Sequence, residues 1–126
     1  MPENYTQLVA ALKSLTQAED PAATDSPTVT LPMAEDEWNT RPDADSYGLV
    51  SLDFEAGQLN GDNAKLDRSH GGSADLFSRH RDGDGWPGLI TGTLQSYCGP
   101  AWSLNSHTYE RETRLFHWEW AFEIEG

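Results

Sequence analysis

His117 and Glu119 stand two residues apart near the end of the sequence, a His-x-Glu pair like the one zinc deaminases use to bind a metal and carry a proton. The Pro-Cys-x-x-Cys that completes such a centre is absent, and Cys98 is the only cysteine. The remaining histidines, His70, His80 and His107, form no pair at zinc-ligand spacing. The simpler expectation is that Glu119 pairs across strands with a base such as Arg111. Arg81-Asp82-Gly83-Asp84-Gly85 looks like half of a calcium loop. With Gly85 at its sixth position, Asp82 and Asp84 fall at the third and fifth, but His80 and Thr91 fall where an acid and a glutamate are required. Capping of a following helix explains these acids better. The sequence contains no nucleophile elbow, phosphate-binding glycine loop or dinucleotide fingerprint. The expectation is a protein without catalytic site, metal or cofactor. Cys98 reads as a packed, neutral thiol that can form no internal disulfide.

The elements that would position such residues are legible from periodicity. In Leu115–Glu125, Phe116, Trp118, Trp120, Phe122 and Ile124 occupy every second position, which makes one apolar face of a strand. Burial of that face is worth roughly 10 kcal/mol before chain entropy is subtracted. Tyr5, Leu8, Val9, Leu12 and Leu15 make one stripe of a helix over 5–17, with Asn4 and Gln7 in capping-box spacing. A second helix, 84–98, carries Trp86, Leu89, Ile90, Leu94 and Tyr97 on one face and stops at Gly99-Pro100. Pro87 is tolerated in its first turn, with Asp82 or Asp84 as cap. Further strands are expected near 28–33, 47–55, 64–78 and 102–109, with Pro32 marking an edge and Gly71-Gly72 a bulge or kink. Glu35–Ser46 reads as an acidic loop in which Trp38 is anchored to the core. The predicted fold is a single α+β domain over 1–126. It has two layers: a mainly antiparallel sheet of about five strands, and two amphipathic helices on one face.

The 126 residues carry a net charge of −13, from 21 acids and 8 bases. The excess lies in the first half: residues 1–63 hold 12 acids against Lys13 and Arg41, or −10, and residues 64–126 hold 9 acids against 6 bases, or −3. Such a chain lacks the clustered Lys and Arg that grip phosphates, and it should not bind anionic membranes. It can face DNA as a repelling wall, or the charge can serve solubility alone. Met1-Pro2-Glu3-Asn4 has neither the basic nor the apolar region of a signal peptide, and no apolar run approaches a membrane span. A soluble protein made in a reducing cytoplasm is expected.

One series of residues points further. Leu59-Asn60-Gly61-Asp62-Asn63 is followed by Ala74-Asp75-Leu76-Phe77-Ser78, the Asp84–Leu94 helix and Trp102. Tyr109-Glu110-Arg111-Glu112-Thr113 and Leu115–Ile124 complete the series. Together these resemble the tail-completion and tail-terminator proteins of long-tailed bacteriophages. Those proteins commonly show a Gly/Ala-Asp-Asn after the second long strand, a strand ending in Leu-Phe/Tyr-Ser/Thr and a helix, then Tyr-x-x-Glu-Thr leading into a Leu-Phe/Tyr-His-Tyr/Trp strand. The similarity covers about the last 65 residues and, loosely, the first helix; the acidic segment Glu19–Asp45 has no counterpart. The resemblance implies a virion structural protein, made in the host bacterial cytoplasm. It would form a ring, commonly of six subunits, on the head-proximal end of the tail tube. Its partners would be its own copies, the tail-tube protein and the head connector, while DNA passes through without specific binding. The candidates for lumen wall or subunit contact are Glu35, Asp36, Glu37, Trp38, Asp43 and Asp45. Rival readings are a neck protein on the connector, an acidic module that mimics nucleic acid in a basic groove, and a metal-dependent hydrolase built on His117 and Glu119.

Overall fold

The computed structural model describes residues 3–20, 22–38, 40–54 and 69–125. The expected turn around Asn60–Asn63 and the first part of the expected 64–78 strand lie outside these residues. Helix α1 spans Glu3–Lys13. Short strands β1 (Thr16–Ala18), β2 (Thr28–Thr30) and β3 (Met33–Glu35) follow, then the long strands β4 (Ser46–Phe54) and β5 (Ser69–Ser78). A 3-10 turn at Gly83–Gly85 leads into α2 (Trp86–Cys98), which is followed by β6 (Trp102–Glu110) and β7 (Leu115–Glu125). The α+β expectation holds. Five strands form the main sheet in the order β3-β4-β5-β7-β6, and β1 and β2 form a separate two-stranded sheet. All pairings are antiparallel except β3 with β4.

β7 is the organising strand. Trp118, Trp120, Phe122 and Ile124 are buried in one core with Val50, Ala74 and Leu76 of the neighbouring strands. Tyr5, Leu8, Val9 and Leu12 of α1 and Trp86, Ile90 and Leu94 of α2 close it from the same side. Both helices therefore cover one sheet face, as expected. β7 lies between β5 and β6, so the β5–α2–β6 crossover leaves a gap that the β6–β7 hairpin fills, a split β-α-β arrangement.

Three local expectations need correction. The first helix ends at Lys13 rather than 17, and Thr16–Ala18 is a strand. The Ser14 hydroxyl donates to the Ala10 carbonyl, drawing the last turn onto a side chain, and the next residue but one is β-branched Thr16. Asn4 lies inside α1 and caps nothing; its Nδ2 donates to the Glu125 carbonyl at 2.6 Å, tying the helix to the end of β7. The single strand expected at 28–33 is two. β2 pairs with β1, Leu31 donates its N–H to the Leu15 carbonyl, and β3 then joins the main sheet beside β4. Pro32, which has no N–H, sits at the break.

The glycine pair lies opposite a bulge, as the sequence indicated, but the extra residue belongs to β4. Leu52 pairs with Gly72 and Phe54 with Gly71, leaving Asp53 between them. At the other end of the sheet, Asp82 accepts the Asp84 N–H and caps the 3-10 turn. α2 therefore starts at Trp86 rather than at 84, and neither Asp82 nor Asp84 caps it: Gly85, with φ 82°, does so without a side chain, and Pro87 occupies the first turn. Gly85 is thus required by a left-handed turn, and the calcium-like spacing serves that turn.

Candidate functional site

The sheet face opposite the helices holds the chemistry-bearing residues. Successive side chains of a strand point to opposite faces and registered partners share one. Tyr47, Leu49, Ser51 and Asp53 of β4 therefore lie with Ser73, Asp75 and Phe77 of β5 and with His117, Glu119, Ala121 and Glu123 of β7. β4 to β7 contain no lysine or arginine, and all their acids, Asp53, Asp75, Glu110, Glu119, Glu123 and Glu125, fall on this face. The helix-covered face of these strands carries no acid, because a carboxylate there would lose its hydration without a partner.

At one end the face is covered. The loop after β3 folds back so that Trp38 donates its Nε1–H to the Gly48 carbonyl at 3.1 Å and sets its ring edge-on to Tyr47. Trp38 is anchored, as expected. Tyr47 stacks on Phe77 with centroids 5.2 Å apart, and Phe77 stacks on His117 at 4.3 Å. The Arg41 guanidinium lies 5.6 Å from the Tyr47 ring centre. This ladder ends at a clamp: His117 Nε2 lies 2.8 Å from Asp75 Oδ1, and Nδ1 lies 3.1 Å from Glu110 Oε2. Carboxylates only accept, so both contacts become hydrogen bonds when the ring carries two N–H donors. The bond to Asp75 is the main cause that lifts the His117 pKa above its usual value; burial opposes it and Glu110 assists. With both nitrogens engaged, the ring joins β5, β6 and β7, and neither nitrogen is open to a substrate.

The clamp sets a direction for pH dependence. A histidine whose folded pKa is raised contributes stability that is complete below the unfolded pKa, near 6.5, and lost as pH rises through the folded value. Wild-type resistance to urea is expected to fall as pH rises above about 6.5. His80, also raised by its bond to Asp84, adds a smaller part because it is exposed. His117→Asn should remove most of the slope while His80→Asn removes little; an unchanged slope in His117→Asn contradicts the clamp.

The pairing expected between Glu119 and Arg111 does not occur. Glu119 sits opposite Asp75 and Ser106, whereas Arg111 is in the turn beyond β6. His117 and Glu119 do share a face, but the carboxylates that bind His117 are Asp75 and Glu110. Among the described residues no three of His, Cys, Asp or Glu converge as metal ligands. Cys98 is half-buried, and burial pushes its thiol pKa up to about 11, the neutral state expected of it. A second polar network lies beside a cleft of about 470 Å³ between the β1–β2 sheet and the 3-10 turn. There the Ser46 hydroxyl donates to Ser78 Oγ and to Asp84 Oδ2, and both Asp84 oxygens lie 2.8 Å from His80 Nδ1. Asp84 lies between Ser46 and His80, so in this network neither serine bonds the histidine ring.

The acids singled out from the sequence are not brought into one cluster. Glu35 ends β3 alongside Val50, with Asp36 and Glu37 exposed just beyond it. Asp36 has φ 70° and donates its N–H to the Val50 carbonyl. Asp43 and Asp45 lie just before β4, where both pair with Arg79, at 3.6 and 3.1 Å. Five residues of β4 separate the two groups, roughly 16 Å along a strand. Sequence reasoning missed Asp75 and Glu110. The available signal was alternation: once β5 and β7 are neighbours, Asp75 and His117 must share a face.

Beyond the ladder the face is bare. Asp53, Ser73, Glu119, Ala121 and Glu123 floor a groove of about 540 Å³ whose wall is the Pro100–Ser103 segment with Asn105. β6 borders it as the sheet edge, with no strand on its outer side among the described residues. Leu104 and Tyr109 of this edge strand are 48% and 50% exposed. No helix among the described residues is long and apolar enough to cross a membrane. Compared with known proteins, the chain matches no family model, no curated protein and no solved structure.

Proposed function

We propose that this chain is a non-catalytic virion protein of a long-tailed phage, made in the bacterial cytoplasm and built into the head–tail junction. There it caps the head-proximal end of the tail tube as a ring, ends tube polymerisation and presents a surface to the head connector. The observation that carries this reading is that the described residues of the resemblance are contiguous in space. Ala74–Ser78, Asp84–Leu94, Trp102, Tyr109–Thr113 and Leu115–Ile124 make up most of the β5–α2–β6–β7 unit, not scattered pieces. A ring of identical subunits needs front and back surfaces that differ, and an edge strand with exposed Leu104 and Tyr109 offers one. The net charge of −13 suits passage of DNA without retention. Of the acids expected at a lumen, Glu35, Asp36 and Glu37 have no ion-pair partner among the described residues, whereas Asp43 and Asp45 share Arg79.

The test is tube length. Purified tail-tube protein of the same phage, polymerised with this chain present, is expected to give short capped tubes by electron microscopy, and long uncapped tubes without it. Equal length distributions overturn the reading. The absence of lysine and arginine from strands β4 to β7 also favours a second reading, an acidic module seated in the basic groove of a host protein. That reading requires a basic partner captured at low salt and released steeply as salt rises.

A further inference from the structure

We infer that subunits join front to back by inserting the β6–β7 turn of one copy into the carboxylate groove of the next. This names the contact within the proposed ring and so rests on that reading. The turn, Arg111-Glu112-Thr113-Arg114, projects at one end of the sheet. It is held by the Arg114 N–H donating to the Glu110 carbonyl at 2.8 Å, with Arg114 at φ 61°. Arg111 and Arg114 are exposed and make no ion pair among the described residues. Arg81 lies at the same end of β7, 5.5 Å from the Phe116 ring centre and likewise without an ion pair among the described residues. Phe116 in turn packs on half-exposed Tyr109, centroids 4.9 Å apart. This is a cationic tip with an aromatic base, and it gathers three of the few cations of a strongly acidic chain. The acids nearest in sequence are Glu112 and Asp82, both exposed, and Glu110, which is bound to His117.

The groove has the opposite character. Asp53, Glu119 and Glu123 line it and no lysine or arginine does. It lies further along the sheet: Glu119 and Glu123 are four and eight residues along β7 from Leu115, roughly 13 and 26 Å. A subunit therefore cannot place its tip in its own groove, and only another copy can. Unlike surfaces at separate places on one chain make a heterologous contact, the kind that closes into rings. No lysine or arginine lines the groove, so its carboxylates are open to an incoming guanidinium fork, which can pair with a carboxylate through two hydrogen bonds. The groove floor adds only small side chains, Ser73 and Ala121, which leaves room for the incoming arginines.

The test is a charge exchange read by light scattering. Arg111→Glu with Arg114→Glu reverses the tip; Asp53→Lys with Glu123→Lys reverses the groove. All four positions are exposed, so folding, checked by circular dichroism, should be retained. Wild type is expected to show a discrete ring mass. Each reversed variant alone should fall towards monomer, with an apparent dissociation constant raised at least ~tenfold. An equal mixture of the two variants should recover the ring mass, because each tip then meets a groove of opposite sign; the fourfold variant, whose net charge equals that of wild type, should recover it too. A reversed variant that keeps the ring mass, or a mixture that stays monomeric, overturns the contact while leaving the ring reading standing. A wild type that is monomeric at every concentration also overturns it, and the tube-length assay then decides the capping role independently.

Discussion

Trp120→Ala is expected to cost about 3–5 kcal/mol of unfolding free energy, a large part of what a domain of this size possesses. The indole is fully buried at the centre of the sheet, registered between Ala74 of β5 and Leu104 of β6. Ala74 leaves the space that the indole fills, so truncation leaves a cavity flanked by rigid strand backbone with little to collapse into it. The indole N–H also donates to Thr91 Oγ1 at 3.2 Å, fastening α2 to the sheet. Trp120→Phe keeps most of the apolar surface and removes only this bond and part of the ring; a loss of roughly 1–2 kcal/mol is expected. Urea melts of the two variants beside wild type measure both. A loss below about 1 kcal/mol for the alanine variant contradicts the packing of β7 described above.

The second large effect turns on the same substitution made at two kinds of glycine. At Gly72, an added Cβ would lie 2.4 Å from the Ser51 carbonyl oxygen and 2.6 Å from Phe122 Cζ. The carbonyl is part of the β4–β5 pairing and cannot turn aside, so Gly72→Ala must push the strands apart or displace Phe122. Overpacking of this kind costs about 1–3 kcal/mol, and the backbone contact places Gly72→Ala at the upper end. At Gly88 and Gly92 of α2 an added Cβ meets nothing within 4 Å. There, alanine only removes freedom from the unfolded chain, and each change should raise stability by about 0.5–1 kcal/mol. Thermal melts should move downward for Gly72→Ala and upward for Gly88→Ala and Gly92→Ala. A common direction for all three would show that the crowding at Gly72 is relieved by local movement.

How much of this was legible in the amino-acid order depends on the range of the interaction. The apolar faces of β7 and of both helices are local patterns, and burial largely followed them: Tyr5, Leu8 and Leu12, Trp86, Ile90 and Leu94, and the alternate residues from Trp118 to Ile124 are all in the core, whereas Leu89 and Tyr97, expected on the same face of α2, are exposed. Their number and order were enough for an α+β domain with helices on one side. Ends of elements were less legible, because competition from Ser14 and the backbone bond of Leu31 decided where α1 stopped and where the 28–33 strand divided.

Function-bearing residues followed the same divide. Local spacing pointed to Asp82 as a cap, but the residue after it that caps α2 is Gly85, and a 3-10 turn stands where the helix was expected to begin. It could not tell which acids meet which bases, since that depends on strand order. Only tertiary structure decided that Asp43 and Asp45 share Arg79, and that His117 lies between Asp75 and Glu110. It alone brought the carboxylates of four strands onto one face. The sequence by itself determined what must be buried, because the hydrophobic effect acts on each residue through its own period. Charges act between residues far apart in the chain, so where the acidic surface and the cationic tip lie was decided only when β7 took its place between β5 and β6.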